Sequence, residues 1–398
     1  MIKAIQGKIG LIVLAVAVVV IGLWAIMPRS NPDANKDVVI GLVAPLSGGS
    51  ATAGESIERG LQIAIDDVNA NGGVLGGRKL RLVVRDDAGD PARGAAVARE
   101  LVEREHAVAI FGGLHSPVSL ALKPIIQELK VPYIGTWAAA TGITVNDQNP
   151  NFMFRVSARD DLVDQFLVDH LSSVGNCDRP GLILENTPWG ESNQTGLAAS
   201  LAEKQLKSVG VEKFNTGDVD MSPQLLRLKN AGAKCLILVA NAPEGAQVVR
   251  SGVKIGWKVP IISHWGISGG RFPELAGPEG GSVRFFQTFS FFSSKRPALE
   301  HVMQLLKSRY KIGSPAEIHA PVGTANAYDA LHLLAVALNE GKSDDGARLR
   351  SALENVSGYD GLIKTYDHPF SATNHDALGK DDYILVTWQN GRITPVGE

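Results

Sequence analysis

Cysteine is scarce in this chain: Cys177 and Cys235 are the two among 398 residues. They are too few and too far apart for a structural zinc site or a disulfide-stapled miniprotein, so stability has to come from a packed core. An excess of one charge is missing as well. Lys+Arg number 39 against 41 Asp+Glu, the formal net charge is -2, and no long Lys/Arg run occurs. That removes the electrostatic footprint that nucleic-acid binding needs. Histidines occur without ligand-spaced partners, so neither a metal site nor a cofactor is read from the sequence. Asp86, Asp87 and Asp90 lack the glycine and glutamate spacing of a calcium loop and read as turn chemistry.

One stretch lacks charge altogether. Ile9 to Met27 runs 19 residues without an ionisable side chain, and a helix of that length spans roughly 28 Å, close to the ~30 Å hydrocarbon core. Lys3 and Lys8 precede it and a mixed Arg29, Asp33, Lys36, Asp37 stretch follows, which keeps the amino terminus inside and exports the body of the chain. A cleaved signal has a shorter apolar region and an A-x-A-like site. Trp24-Ala25-Ile26-Met27-Pro28 offers no such site and no cysteine follows for lipidation. Residues 1–36 are therefore expected to be an inner-membrane anchor with a polar tether from Ser30 to Asp37, with a cleaved signal peptide as the alternative.

What is present reads as globular: 44% apolar and 20% charged residues, with a length that suggests two domains. From Asp37 onward short apolar runs alternate with helical periods, the pattern of parallel sheets covered by helices. Val38 to Val43 is a first buried strand. Gly54 to Asn71 puts Ile57, Leu61, Ile65 and Val68 on one helical face. Strand Lys79 to Arg85 is followed by Asp90-Pro91, an N-cap acid and a proline at the first helical position. Strand Ala107 to Phe111, helix Ser116 to Leu129 and strand Val131 to Thr136 complete one series, and Phe152 to Val156 crosses over.

A comparable series follows: helix Asp160 to Val174, strand Gly181 to Glu185, helix Glu191 to Val209, strand Val211 to Asn215 and a short helix near Leu225. Strand Cys235 to Ala240, helix Glu244 to Ile255 and strand Val259 to Ser263 complete it. Later segments (282–289, 299–310, 324–339, 383–388) are too few to bury a third core. The expected fold is α/β, two doubly wound parallel-sheet lobes joined by a multi-strand hinge, with 37–155 plus 287–381 in lobe 1 and 156–286 plus 382–398 in lobe 2. Cys177 and Cys235 both precede strands that should be parallel neighbours, so a disulfide is expected in an oxidising compartment, with two buried thiols as the rival.

Motifs over Val38 to Val396 resemble the type I periplasmic binding proteins of the branched-chain amino acid group, the solute receptors of ABC transporters. They are Leu46-Ser47-Gly48, the run Asp66 to Gly77 (DDVNANGGVLGG), Asp86 to Pro91 (DDAGDP) and Trp189-Gly190. The resemblance implies that Ser116 and Thr141 hold a ligand carboxylate, that the Ala139 carbonyl takes an ammonium, and that Trp189 covers the ligand on closure. It also implies two departures: the family's acid falls near Trp265 and its first-lobe aromatic near Ala53. A ligand without an ammonium is then expected to bind comparably to an amino acid.

The residues support parts of this independently. Ser116-Pro117 opens a helix, so a hydroxyl and a free helix N-terminus form an anion site, although a plain cap needs the same residues. Ligands of open α/β sheets bind beyond the carboxyl ends of the strands, where Ser116 and Thr141 sit. Trp137, Trp189 and Trp265 all fall just past strand ends, with ordinary packing as the alternative. His115 and Asn241 complete the candidate set.

Gly266 to Gly270 (GISGG) formally matches a nucleophile elbow, but Arg271-Phe272-Pro273 interrupts the helix that should follow. The expected function is capture of a small amino acid, amide or related carboxylate by lobe closure, without chemistry, and delivery to a membrane permease. The alternatives are a sensor domain of the same fold and an exported hydrolase using Ser268.

Overall fold

The computed structural model describes residues 36–175 and 177–396. The apolar segment 9–27 lies outside the described residues, among which no helix is long and apolar enough to cross a membrane. Strands β1 (Val38–Ala44), β2 (Leu80–Asp86), β3 (Ala109–Gly112), β4 (Tyr133–Gly135) and β5 (Met153–Arg155) form a wholly parallel sheet in the order β2-β1-β3-β4-β5. Every residue of β1 is buried, because helices cover both faces of a parallel sheet and leave no face for alternation.

The second sheet takes β6 (Pro180–Glu185), β7 (Gly210–Phe214), β8 (Cys235–Val239), β9 (Ile261–Ser263) and β10 (Arg284–Gln287), all parallel. A small hairpin, β11 (Gly358–Asp360) with β12 (Thr365–Asp367), stands apart. The strands β13 (Ile384–Gln389) and β14 (Arg392–Pro395) then extend the second sheet antiparallel, giving the order β14-β13-β10-β9-β8-β6-β7. In each sheet the strand order reverses once, between β1 and β3 and between β6 and β8, and such switch points open crevices at the strand carboxyl ends.

Helix Ala51–Ala70 buries Ile57, Leu61, Ile65 and Val68 as its period requires. It packs on helix Pro321–Gly341, which returns to the first lobe after β10. A Cβ on Gly60 would lie 2.3 Å from the Thr324 carbonyl oxygen, so glycine sets this close helix approach. Asp90 caps helix Pro91–Glu103 by accepting from the Arg93 N–H, the role its Asp-Pro pair implies.

The chain passes between the lobes after β5, after β10 and before β13. The first passage is fixed by a buried ion pair: Arg155 Nε donates to Asp376 Oδ1 at 2.6 Å, and Arg159 reaches the other oxygen at 3.1 Å. Removing one partner of such a pair costs about 3–5 kcal/mol, because the other charge stays buried.

Cys177 and Cys235 are joined as a disulfide with a Cα–Cα distance of 5.5 Å, inside the usual range. Their strands are parallel neighbours, with Pro180 opposite Cys235, which is the geometry the sequence argument required. A bridge of this kind stabilises by about 2–4 kcal/mol.

Candidate functional site

A cleft of about 410 Å³ lies between the two sheets' carboxyl ends. Its walls come from the loops that follow β1, β2, β3 and β4 on one side and β6, β7, β8 and β9 on the other. The first-lobe wall begins with the loop after β1. Asp86 pins that loop by accepting from Leu46 N–H at 2.8 Å and Ser47 Oγ at 2.7 Å, which accounts for the Leu46-Ser47-Gly48 motif. Gly89, at φ +75°, lets the loop after β2 pass against the His115 ring, where a Cβ would stand 3.1 Å from the ring. His115 itself faces Ser50 Oγ at 3.2 Å, and burial pushes its pKa down to about 4, so it is neutral at ordinary pH.

Helix Ser116–Leu129 starts at the cleft, with His115 rather than Ser116 in the N-cap position. The Ser116 oxygen accepts from the N–H groups of Ala139 and Ala140 at 3.2 and 3.1 Å. Its own proton is used by neither bond and can be donated to a ligand. The Ala139 carbonyl accepts from Asp160 N–H at 2.8 Å, a contact that spans the first crossover.

Trp189 sits in the first turn of helix Pro188–Glu203 and is 6% exposed. Its indole N–H donates to Asp160 Oδ1 at 3.3 Å, and its ring meets His264 edge-on at 4.9 Å. His264 Nδ1 accepts from Trp265 N–H, so Nε2 carries the proton and donates to the same Asp160 oxygen at 3.0 Å. Trp265 meets Trp137 of the opposite lobe at 5.7 Å between ring centres, forming an apolar floor.

Seven of the sequence-derived candidates, His115, Ser116, Trp137, Ala139, Trp189, Asn241 and Trp265, thus line one cleft. Thr141 is not among the residues that line it. Its hydroxyl accepts from Asp161 N–H at 3.1 Å and its own N–H donates to Ser192 Oγ at 3.1 Å, so it ties the β4 loop to second-lobe helices. The chain enters a 3₁₀ turn at Thr141–Ile143.

Two carboxylates that the sequence reading passed over are on the second-lobe wall. Glu185, the last residue of β6, accepts from Thr216 Oγ1 at 2.5 Å and Asn241 Nδ2 at 3.3 Å. Burial raises its pKa, the Thr216 bond offsets part of that, and nearby Glu244 adds to it. Glu244 accepts from Gly217 N–H at 2.9 Å. Among the described residues lining the cleft there is no lysine or arginine. The signal available in sequence was positional: Glu185 ends the run GLILE, at the carboxyl end of a strand beside a switch point.

Ser268 lies in the 3₁₀ turn Trp265–Gly269, donates to the Trp265 carbonyl at 2.7 Å and accepts from Gln287 at 3.0 Å. No histidine contacts it among the described residues, and the helix that follows is the five-residue Phe272–Ala276. Among the described residues no group of three or more His, Cys, Asp or Glu is arranged to hold a metal ion.

Two lobes with a cleft at facing strand ends match the architecture of solute-binding proteins. The chain belongs to the periplasmic binding protein family, whose model matches residues 37–392, and with that goes an extracytoplasmic location. Among curated proteins it is similar to Leu/Ile/Val-binding protein homolog 3 of Brucella melitensis, 24% identical over 90% of this chain and 93% of that protein. Among solved structures it is similar to a type 1 periplasmic binding protein from Bordetella pertussis Tohama I, with TM-score 0.83, 23% identity, and coverage of 91% and 100% of the two chains. A solute-binding protein of an ABC transporter from R. palustris, in complex with 4-hydroxybenzoate, aligns with TM-score 0.76 and 20% identity over 90% and 95%. The motif resemblance to the branched-chain amino acid group is thereby borne out.

Proposed function

We propose that this protein is the substrate-binding component of an ABC transporter and captures a small amino acid, or an amide of one, that carries a cationic amino group. The observation that carries this reading is the charge of the cleft: Glu185 and Glu244 on one wall, no lysine or arginine, and a neutral His115. A ligand with an ammonium neutralises the acids, whereas a simple carboxylate meets two like charges. Ser116 and the N-terminus of helix Ser116–Leu129 offer the opposite wall for a carboxylate or amide oxygen. Trp189 and the Trp137–Trp265 floor take the apolar part.

Names among the relatives point both ways, to amino acids and, in the R. palustris neighbour, to 4-hydroxybenzoate. The acids favour the amino acid side, and they revise the expectation drawn from Trp265 that the ammonium is dispensable. The closing bodies are the two sheet-centred lobes exchanging chain near Arg155, Gln287 and Asp382, with a membrane permease as the receiving partner. Segment 9–27 is assigned as an uncleaved anchor, and a mature amino terminus beyond Met27 in the membrane fraction would remove that assignment. Ser268 is given no catalytic role, since its hydroxyl is buried and spent on the Trp265 carbonyl.

The test is a thermal-shift screen of the full chain against amino acids, their amides, the matching deaminated acids and benzoates. A ligand at 100 times its Kd adds about 2.7 kcal/mol. Amino acids or amides should shift the transition and deaminated acids should not. A response confined to benzoates would replace the proposed ligand class.

A further inference from the structure

A second cavity, of about 290 Å³, lies between the same lobes beside the segment that leaves β10. Its lobe-1 side includes Arg59 of helix Ala51–Ala70, and its lobe-2 side includes Arg271, Trp388 and Arg392. Phe289, Phe291 and Phe292, in the segment that leaves β10 for the first lobe, form its apolar lining. Phe289 and Phe291 pack edge to face at 4.9 Å and are buried, while Phe292 is 41% exposed. Trp388 stacks on Phe285 at 5.4 Å.

The polar groups on this lining are under-used. Among the described residues none of the three guanidiniums is paired with a carboxylate: Arg59 rests over the Tyr310 ring at 5.4 Å, and Arg271 and Arg392 are exposed. Arg59 Nε and the indole N–H of Trp388 are buried donors without a hydrogen-bond partner, and Trp388 is 9% exposed. Buried donors are nearly always satisfied, so two orphans beside one cavity ask for an acceptor. Two acids, Glu55 and Glu274, also border the cavity; both are exposed.

We infer that this cavity is a second ligand site, for a small aromatic carboxylate, with the ring against Phe291, Phe292 and Trp388 and the carboxylate held by guanidiniums from both lobes. Planar guanidinium donors match a carboxylate in two-point geometry and stack well beside aromatic rings. The inference does not depend on the ligand class assigned to the main cleft. It has a mechanical consequence. A molecule held by Arg59 on one lobe and by Arg271 and Arg392 on the other favours the lobe arrangement seen here over an open one. It therefore tightens the main cleft's ligand, and that ligand tightens it in return.

The probe is 4-iodobenzoate added to the full chain. Its binding is followed by calorimetry, and its iodine is located by anomalous scattering in crystals of the complex. The expected result is iodine beside Phe291 and Trp388, and an affinity at least about tenfold weaker in the Arg271→Ala/Arg392→Ala double variant. Both arginines are exposed, so the variant should fold, and an unchanged melting temperature checks this. Glu185→Gln should leave 4-iodobenzoate binding at this cavity unchanged. A saturating level of the probe should also tighten the amino acid found in the screen by about fivefold or more. Iodine in the main cleft alone, no binding at millimolar probe, or full affinity in the double variant would overturn the site. Binding without any effect on the cleft would overturn its bridging of the lobes.

Discussion

Two cavities lie between the same two lobes and differ in their charged groups. The cleft at the strand ends is bordered by Glu185 and Glu244 without a lysine or arginine, and the cavity beside the hinge by Arg59, Arg271 and Arg392 together with the exposed Glu55 and Glu274. The difference follows from how each is built. Strand ends converge in a doubly wound sheet, so the cleft gathers short loops whose backbone N–H groups and helix N-termini already favour a ligand carboxylate. What such a site lacks is negative charge for an ammonium, and Glu185 and Glu244 supply it. The hinge-side cavity is lined by the segments that follow β9 and β10 and by the β13–β14 turn, and its guanidiniums come on long side chains from three distant segments.

The sharpest way to break the comparison is Glu185→Gln. Truncating one partner of a desolvated charge pair costs about 2–5 kcal/mol, so amino acid affinity should fall at least about 30-fold while 4-iodobenzoate at the other cavity keeps its affinity. Calorimetry on both ligands reads this directly. Equal losses for both would mean that the variant has disturbed the lobes rather than one wall.

Ser116→Ala comes next. A hydrogen bond to a charged group is worth about 1.5–3 kcal/mol, or roughly 10- to 150-fold in affinity. Because Ser116 also accepts from Ala139 and Ala140, the variant should lose a little stability too, to be measured by denaturant titration. Affinity within twofold of wild type would take Ser116 out of the site.

A smaller effect is expected from Thr141→Ala. Its hydroxyl accepts from Asp161 N–H of the second lobe, the bond that this variant removes, and a neutral hydrogen bond is worth about 0.5–1.5 kcal/mol. Closure, and so affinity for both ligands, should drop by about 2- to 13-fold irrespective of ligand charge. Loss confined to carboxylate-bearing cleft ligands would restore Thr141 as a ligand contact.

The smallest signal is a proton. Asp87 and Asp329 are buried acids raised from 3.8 to about 6, and Glu185 is raised as well. The folded state therefore holds more protons than the unfolded state in that window, and stability without ligand should fall as pH rises through it. A cationic ligand stabilises ionised Glu185, so binding at about pH 5 should release a fraction of one proton, seen as a dependence of the calorimetric enthalpy on buffer. Glu185→Gln should abolish the release, and persistence in that variant would move the titration to another acid.

Much of the fold was legible because burial on both faces leaves continuous apolar runs such as Val38 to Val43 and Cys235 to Val239. Boundaries shifted where local chemistry won. The helix read as Glu191 to Val209 runs Pro188–Glu203, since Thr187 caps its start and Gln205 takes φ +57° beyond its end. Helix Gly346–Glu354 went unread despite its Asp345 cap, and β11, β12 and β14 are too short to show a period. In the cleft, position after a strand end located Ser116, Trp137, Trp189 and Asn241. Thr141 opens a 3₁₀ turn, and its hydroxyl bonds Asp161 N–H, a partner that position after a strand does not reveal. Glu185 was missed because a lone acid after an apolar strand looks like an ordinary solvated turn. The hinge-side arginines have no sequence signal at all, being 212 and 121 positions apart in order along the chain.

The central claim, that the cleft selects a cationic amino group through Glu185, is tested most directly by one calorimetric comparison on the full chain. The tightest amino acid from the screen is titrated beside the deaminated acid of the same carbon skeleton. The account predicts at least about 30-fold weaker binding of the deaminated acid to wild type, with the gap largely closed in Glu185→Gln. Comparable affinity of the two ligands for the wild type would contradict it.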